Sequence, residues 1–175
     1  ALAFDGVRLT HLLDLGCGTG AAGAAWALEA PGVRISGVDR HPWAVAEANW
    51  SYQQLSVPGR AVQLDVLRAR LVPSADAGIL AAYTVNELQD SGRAEMLPRL
   101  LSAAARGAPV LVVEPVARRL TPWWSTWEAA FREAGGRVDE WRFPAHLPAR
   151  QRDLARAAGL DLRELTARSL YLRGG

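Results

Sequence analysis

The stretch His11-Leu-Leu-Asp-Leu-Gly-Cys-Gly-Thr-Gly20 decides how the chain is read. An apolar run holding one acid, Asp14, gives way to glycines at 16, 18 and 20, and an Ala-rich segment, Ala21–Ala30, follows until Pro31-Gly32 stops it. Strand, glycine turn and helix are expected in that order. Only glycine lets a backbone turn this tightly and approach a ligand closely, while the helix behind it offers unpaired N–H groups. A nucleotide-like ligand is implied. The glycines alone leave its identity open, because Gly16-x-Gly18-x-x-Ala21 and Gly18-x-Gly20-x-x-Gly23 also satisfy the dinucleotide fingerprint.

Outward from this unit, strand-like and helix-like runs alternate, the pattern of a parallel sheet with helices on both faces. Strands are expected at His11–Leu15, Val33–Val38, Ala61–Leu64, Ala77–Ala82, Pro109–Val113, Arg137–Phe143 and Leu162–Leu172. Helices are expected at Ala21–Ala30, at Pro42–Leu55, from Asp90 or Ser91 to Arg106, at Pro122–Ala134 and at Ala149–Ala158. Pro98 reads as a kink or a late start, and Thr121-Pro122 as an N-cap followed by proline at the first helical position. The fold class read from this alternation is α/β, a sheet of seven strands with helices on both faces. The chain, 1–175, is taken as one domain. It begins at Ala1, ten residues before the first strand, and is expected to lack N-terminal residues.

Two acids sharpen the ligand. Asp39 ends strand two, 23 residues after Gly16, where a carboxylate accepts from both hydroxyls of a ribose. Asp65, in Leu64-Asp65-Val66, follows strand three and can accept from an adenine amino group, with the Val66 backbone against the ring. Each acid also has a plainer reading, Asp39 as a cap on the helix at Pro42 and Asp65 as a turn acid.

Asp14-Leu-Gly-Cys-Gly-Thr-Gly20 resembles the first motif of the class I S-adenosylmethionine-dependent methyltransferase family, an acid followed by alternate glycines. The resemblance implies that Asp39, with Arg40 beside it, holds the cofactor ribose, and that Asp65 and Val66 hold the adenine. Asp14 and the loop Gly16, Cys17, Gly18 and Gly20 then hold the methionine end. S-adenosylmethionine is the implied cofactor and S-adenosylhomocysteine its product. The resemblance also implies the family's Rossmann-like sheet of seven mostly parallel strands with an antiparallel last strand, which accounts for the late Arg137–Leu172 region. A dinucleotide dehydrogenase gives no reason for Asp65 or for the alternate glycines.

In that fold the methyl donor faces the residues after strand four, here Ala81-Ala-Tyr-Thr-Val-Asn-Glu-Leu-Gln-Asp90. A sulfonium carries its own leaving group, so the protein has mainly to position a nucleophile, exclude water and, where needed, supply a base. Tyr83 is the candidate wall, Asn86 the candidate for orientation and Glu87 the candidate base or amine anchor. The family's amino-methylating members show Asn or Asp, Pro, Pro and an aromatic at this point; Ala81-Ala82-Tyr83 keeps only the aromatic. Tyr83–Leu88 with Val112-Val-Glu-Pro115 is also somewhat similar to the mitochondrial small-ribosomal-subunit methyltransferase-like family, whose cysteine cluster this chain lacks. Glu114, at the end of strand five, is a further substrate-side candidate.

Residues 118–127 hold two arginines and three tryptophans, a composition suited to stacking on a flat ring and pairing with an anion. Arg118, Arg119, Trp123 and Trp124 are candidates for acceptor contacts, although the spacing Trp123, Trp127, Ala130, Ala134 equally describes a core face. His146 reads as a surface histidine or a base.

Composition narrows the classes. Twenty basic and eighteen acidic residues give a net charge of +2, too even to mark a nucleic-acid or membrane binder. Charge is uneven along the chain: residues 1–114 hold 9 Arg against 11 acids, residues 115–175 hold 11 Arg against 7, so the last third is mildly basic. Every basic residue is Arg. One cysteine, Cys17, permits no internal disulfide or cysteine-based zinc site, so a reducing, cytoplasmic setting and no metal are expected. No run reaches the roughly eighteen apolar residues of a membrane span, and the N-terminus is unlike a signal peptide. The favoured acceptor is a small aromatic or amino-acid-like metabolite. RNA or a ribosomal component is the competing partner, and a cofactor-binding assembly module without catalysis is the third reading. The sequence leaves oligomeric state open.

Overall fold

The computed structural model describes residues 8–72, 74–116, 121–159 and 164–174. They form a seven-stranded sheet in the order β3-β2-β1-β4-β5-β7-β6. Its strands are β1 (His11–Leu15), β2 (Arg34–Asp39), β3 (Gly59–Gln63), β4 (Ala77–Ala82), β5 (Val110–Glu114), β6 (Arg137–Pro144) and β7 (Glu164–Leu172). The first five run parallel, while β7 inserts between β5 and β6 and runs antiparallel to both. This is the Rossmann-like arrangement expected from the sequence, antiparallel late strand included.

Helices α1 (Ala21–Glu29) and α2 (Pro42–Gln54) cover one face. Ala24, Ala27 and Ala48 come to within 5% of full burial against Ile35 and Ala61, because a chain of alanines lets helix and sheet approach closely. The other face carries α3 (Asp90–Ala105) and α4 (Trp124–Glu133), whose Met96, Leu100, Trp127 and Phe131 pack on Ile79, Val110, Val112 and Leu170. Two short 3-10 turns, η1 (Val66–Arg68) and η2 (Val85–Glu87), follow β3 and β4, and α5 (Ala149–Ala157) joins β6 to β7 without a buried residue. The edge strand β3 is pinned by Asn49, whose amide accepts from Ala61 N–H at 2.9 Å and donates to Ala61 C=O at 3.0 Å. That satisfies backbone groups an edge would otherwise leave open.

Element ends differ from expectation by a residue or two, and one of these shifts is informative. The helix expected at Pro122 begins at Trp124. Thr121 does not cap it, because the Thr121 hydroxyl accepts from the Arg168 guanidinium while its carbonyl accepts from Trp124 N–H. Pro98 lies inside α3, which runs unbroken from Asp90; its ring is exposed, so the missing N–H falls on the solvent side. The start of the strand expected at Leu162 lies outside the described residues.

Candidate functional site

Sheet order reverses between β1 and β4, and the crevice outside the carboxyl ends of the strands at such a point is where open α/β sheets take ligands. A cleft of about 540 Å3 opens there, within the size range of small-molecule sites. Gly16 and Gly18 form its floor; Asp39, Arg40 and His41 stand after β2, and Asp65, Val66 and Leu67 after β3. Tyr83, Thr84, Glu87 and Leu88 stand after β4, and the start of α3 closes the wall with Gln89, Ser91 and Gly92.

The glycine loop is built for close approach. Gly16, Gly18 and Gly20 all hold left-handed backbone, at φ of 63°, 53° and 82°. A Cβ on Gly16 would lie 2.5 Å from Thr84 Cγ2, whereas one on Gly18 would meet nothing within 4 Å. Gly18 thus leaves its backbone bare to the cleft. Beneath the loop, the Tyr52 ring fills the space beside Gly20 and Gly59, within 2.8 Å and 2.7 Å of where their Cβ atoms would be.

Asp39 is held at the mouth of the glycine loop and does not cap α2, whose N-cap His41 makes no side-chain capping bond. Its Oδ2 accepts from Gly18 N–H at 3.0 Å and its Oδ1 from His41 N–H at 2.8 Å, so it ties the loop to the start of α2 while still facing the cleft. A carboxylate has about four lone-pair sites, which leaves capacity for a ligand. Asp65 caps η1 through Leu67 N–H at 2.8 Å and is otherwise exposed.

Asp14 lies beneath the cleft. It is 1% exposed and accepts from Gly23 N–H at 3.1 Å in the first turn of α1. Burial pushes its carboxyl up to about 7, the Gly23 bond opposes this and the nearby Asp39 charge adds to it. Cys17 is buried behind the loop with its thiol pushed up to about 12, first by burial and then by Asp14 and Asp39, so it is a protonated packing group at neutral pH. Gly20 faces Tyr52 rather than the cleft.

After β4, Tyr83 is 53% exposed and sits at φ 57°, a left-handed conformation that aromatic residues rarely adopt. Its N–H still pairs with Val113 C=O at 2.8 Å, so the sheet ends and the chain flips within one residue. Glu87 is exposed on the wall beside it. Asn86 serves through its backbone: its N–H donates to Glu114 Oε1 at 3.1 Å.

Three acceptor-side expectations need correction. Glu114 is fully buried and turned to the η2 backbone, away from the cleft wall. Trp124 is buried under the Arg168 guanidinium, 3.9 Å from its ring centroid. Trp123 is half-buried against Trp124 and Trp127, with Arg93 5.8 Å above its ring. Helical spacing gave these rings a core face, and burying large aromatic surface outweighs presenting it to a ligand. Arg118 and Arg119 lie outside the described residues. His146 is exposed and does not line the cleft.

Sequence reasoning passed over Thr84, His41, Leu67 and the start of α3. Thr84 Oγ1 donates to Leu15 C=O at 2.7 Å, buckling the end of β4 to the glycine loop. No local pattern marks such a threonine. The helix start expected at Asp90 or Ser91 directly after strand four was itself a signal that its first turn would reach the cleft.

Residues 3–80 match the methyltransferase small domain family. No curated protein matches the chain significantly. Among solved structures, YcgJ of Bacillus subtilis superposes with a TM-score of 0.58 at 18% identity, over 97% of this chain and 95% of its own. The precorrin 8W decarboxylase of Methanobacterium thermoautotrophicum gives 0.62 at 17% identity, over 98% and 85%. The O-methyltransferase NcsB1 of neocarzinostatin biosynthesis, solved with S-adenosylmethionine and 2-hydroxy-5-methyl naphthoic acid, gives 0.61 at 17% identity, over 93% of this chain and 48% of its own. The chain therefore spans about half the length of that enzyme. Among the described residues no helix is long and apolar enough to cross a membrane.

Proposed function

Starting from a chain whose fold is that of the class I S-adenosylmethionine-dependent methyltransferases, we propose that it binds S-adenosylmethionine in the β1–β4 cleft and methylates a small aromatic or amino-acid-like metabolite. The family match and the fold together indicate a methyltransferase. The observation that carries the site assignment is the joint facing of Gly18, Asp39, Asp65 and Tyr83 on one cleft of about 540 Å3.

The donor set fits the cofactor's parts. The bare backbone at Gly18 suits the methionine end, Asp39 with Arg40 the ribose, and Asp65 with Val66 the adenine. When bound, S-adenosylmethionine supplies a methyl group activated by a sulfonium. The residues of this chain then have three tasks. Tyr83 offers a flat wall for an aromatic acceptor, Glu87 accepts a proton from a hydroxyl or holds an amine, and Leu88 and Val66 keep water from the reacting side. The small-molecule acceptor is supported by the solved O-methyltransferase relative with a naphthoic acid. One cysteine and no candidate span among the described residues favour the cytoplasm.

Transfer of labelled methyl from S-adenosylmethionine into a pool of phenolic and amino-acid metabolites, against ribosomal RNA and ribosomal proteins, tests this reading. Label in the small-molecule pool is the expected result. Label in RNA or ribosomal protein alone replaces the acceptor, and cofactor binding with no label in any pool leaves the assembly-module reading.

A further inference from the structure

The segment after β4 carries the acceptor-side candidates on a turn that has no long element of its own, yet it is held from two sides. Its carbonyls are held from α3, where the Arg93 guanidinium donates to Val85 C=O at 3.3 Å, to Asn86 C=O at 3.4 Å and to Leu88 C=O. Arg93 is itself oriented by Asp90 at 2.7 Å and lies over the Trp123 ring. Its N–H side is held from β5, where Glu114, 0% exposed, accepts from Asn86 N–H at 3.1 Å. Opposite Glu114 in register stands Arg168 of β7, stacked on Trp124 of α4.

A buried carboxylate costs several kcal/mol to desolvate, and at a purely structural position an apolar side chain of similar volume does as well or better. Its presence here needs a task that an apolar group cannot perform. We infer that Glu114 is a positioning residue that fixes the η2 turn, and through it the Tyr83–Leu88 wall of the cleft, by accepting the turn's N–H groups while Arg93 holds its carbonyls. Glu114 touches neither cofactor nor acceptor. This rests on the proposed cofactor site only for its functional readout; the geometric part stands by itself.

The test compares E114L, which keeps volume but accepts nothing, with E114Q, which keeps an acceptor, and adds E114A in case E114L does not fold. Two quantities are measured on each: amide hydrogen exchange over residues 84–88, and calorimetric affinity for S-adenosylhomocysteine. Exchange over 84–88 is expected to accelerate at least tenfold in E114L or E114A, with β1 unchanged, and to stay within about threefold of wild type in E114Q. Affinity should fall in the same order, and melting temperature should not follow it, since E114L also removes a buried carboxyl that is costly to desolvate. Exchange over 84–88 within twofold of wild type in both E114L and E114A overturns the inference, as does equal affinity in E114L and E114Q. A wild-type protein that binds no S-adenosylhomocysteine refutes the cofactor reading alone, because the exchange comparison still decides the role of Glu114.

Discussion

Thr84 Oγ1 donates to the carbonyl of Leu15 at 2.7 Å, and the methyl of the same side chain occupies the space that a Cβ on Gly16 would need, 2.5 Å away. One threonine thus closes the glycine loop onto the end of β4. Gly16 and Gly18 share left-handed backbone but differ in surroundings, so their alanine variants should fail differently. Gly16→Ala combines a clash with unfavourable φ and should lower stability by about 2–4 kcal/mol, read by denaturant unfolding. Gly18→Ala should lose only about 1 kcal/mol, yet weaken S-adenosylhomocysteine binding at least tenfold because its methyl enters the cleft. Equal stability losses would contradict the packing described.

Tyr83 holds a conformation suited to glycine. In Tyr83→Gly, relief of left-handed strain and the added entropy of the unfolded chain nearly cancel, each about 1 kcal/mol. The melting temperature should stay within a few degrees of wild type while methyl transfer drops at least tenfold. Thermal melting and turnover on the same preparations check this. A full-rate Tyr83→Gly would remove Tyr83 from the acceptor wall.

Asp14 links stability to pH. Its folded carboxyl is raised to about 7 from an ordinary 3.8, chiefly by burial, so the folded state holds a proton that the unfolded state releases. The stability it contributes is full below about pH 4 and is lost as pH rises through about 7. Glu114, also raised to about 7 by burial against the opposing Asn86 and Val85 N–H groups and Arg168, acts in the same direction. Asp14→Asn keeps an acceptor for Gly23 N–H and cannot ionise. Its stability should match wild type at about pH 3.5, below the unfolded value, and exceed it by on the order of a few kcal/mol at pH 8. Urea unfolding at the two pH values reads the difference, and a difference independent of pH would contradict it.

The parallel half of the sheet was legible because fully buried strands are short apolar runs bounded by glycine, proline and acids, and the site acids sit at those boundaries. Asp39 and Asp65 were found because their place at strand ends is a matter of spacing alone. Glu114 obeyed the same spacing rule, yet its side chain turned inward to the η2 backbone, a choice made by a contact 28 residues away. Trp123 and Trp124 combined a ligand-like composition with a core-like period, and the period prevailed. Thr121 carried a good capping signal that Arg168, 47 residues later, overrode by taking its hydroxyl. Local patterns recorded the strands and the ends that line the cleft; long-range hydrogen bonds decided which way each end side chain turned.

Calorimetric titration of the wild type and of Asp39→Ala with S-adenosylmethionine, with NAD as control, decides whether the cleft is built for this cofactor. Saturable binding of S-adenosylmethionine by the wild type, none of NAD, and at least a tenfold loss in Asp39→Ala, about 1.4 kcal/mol, are expected. No binding of S-adenosylmethionine by the wild type, or preferential binding of NAD, would contradict the assignment.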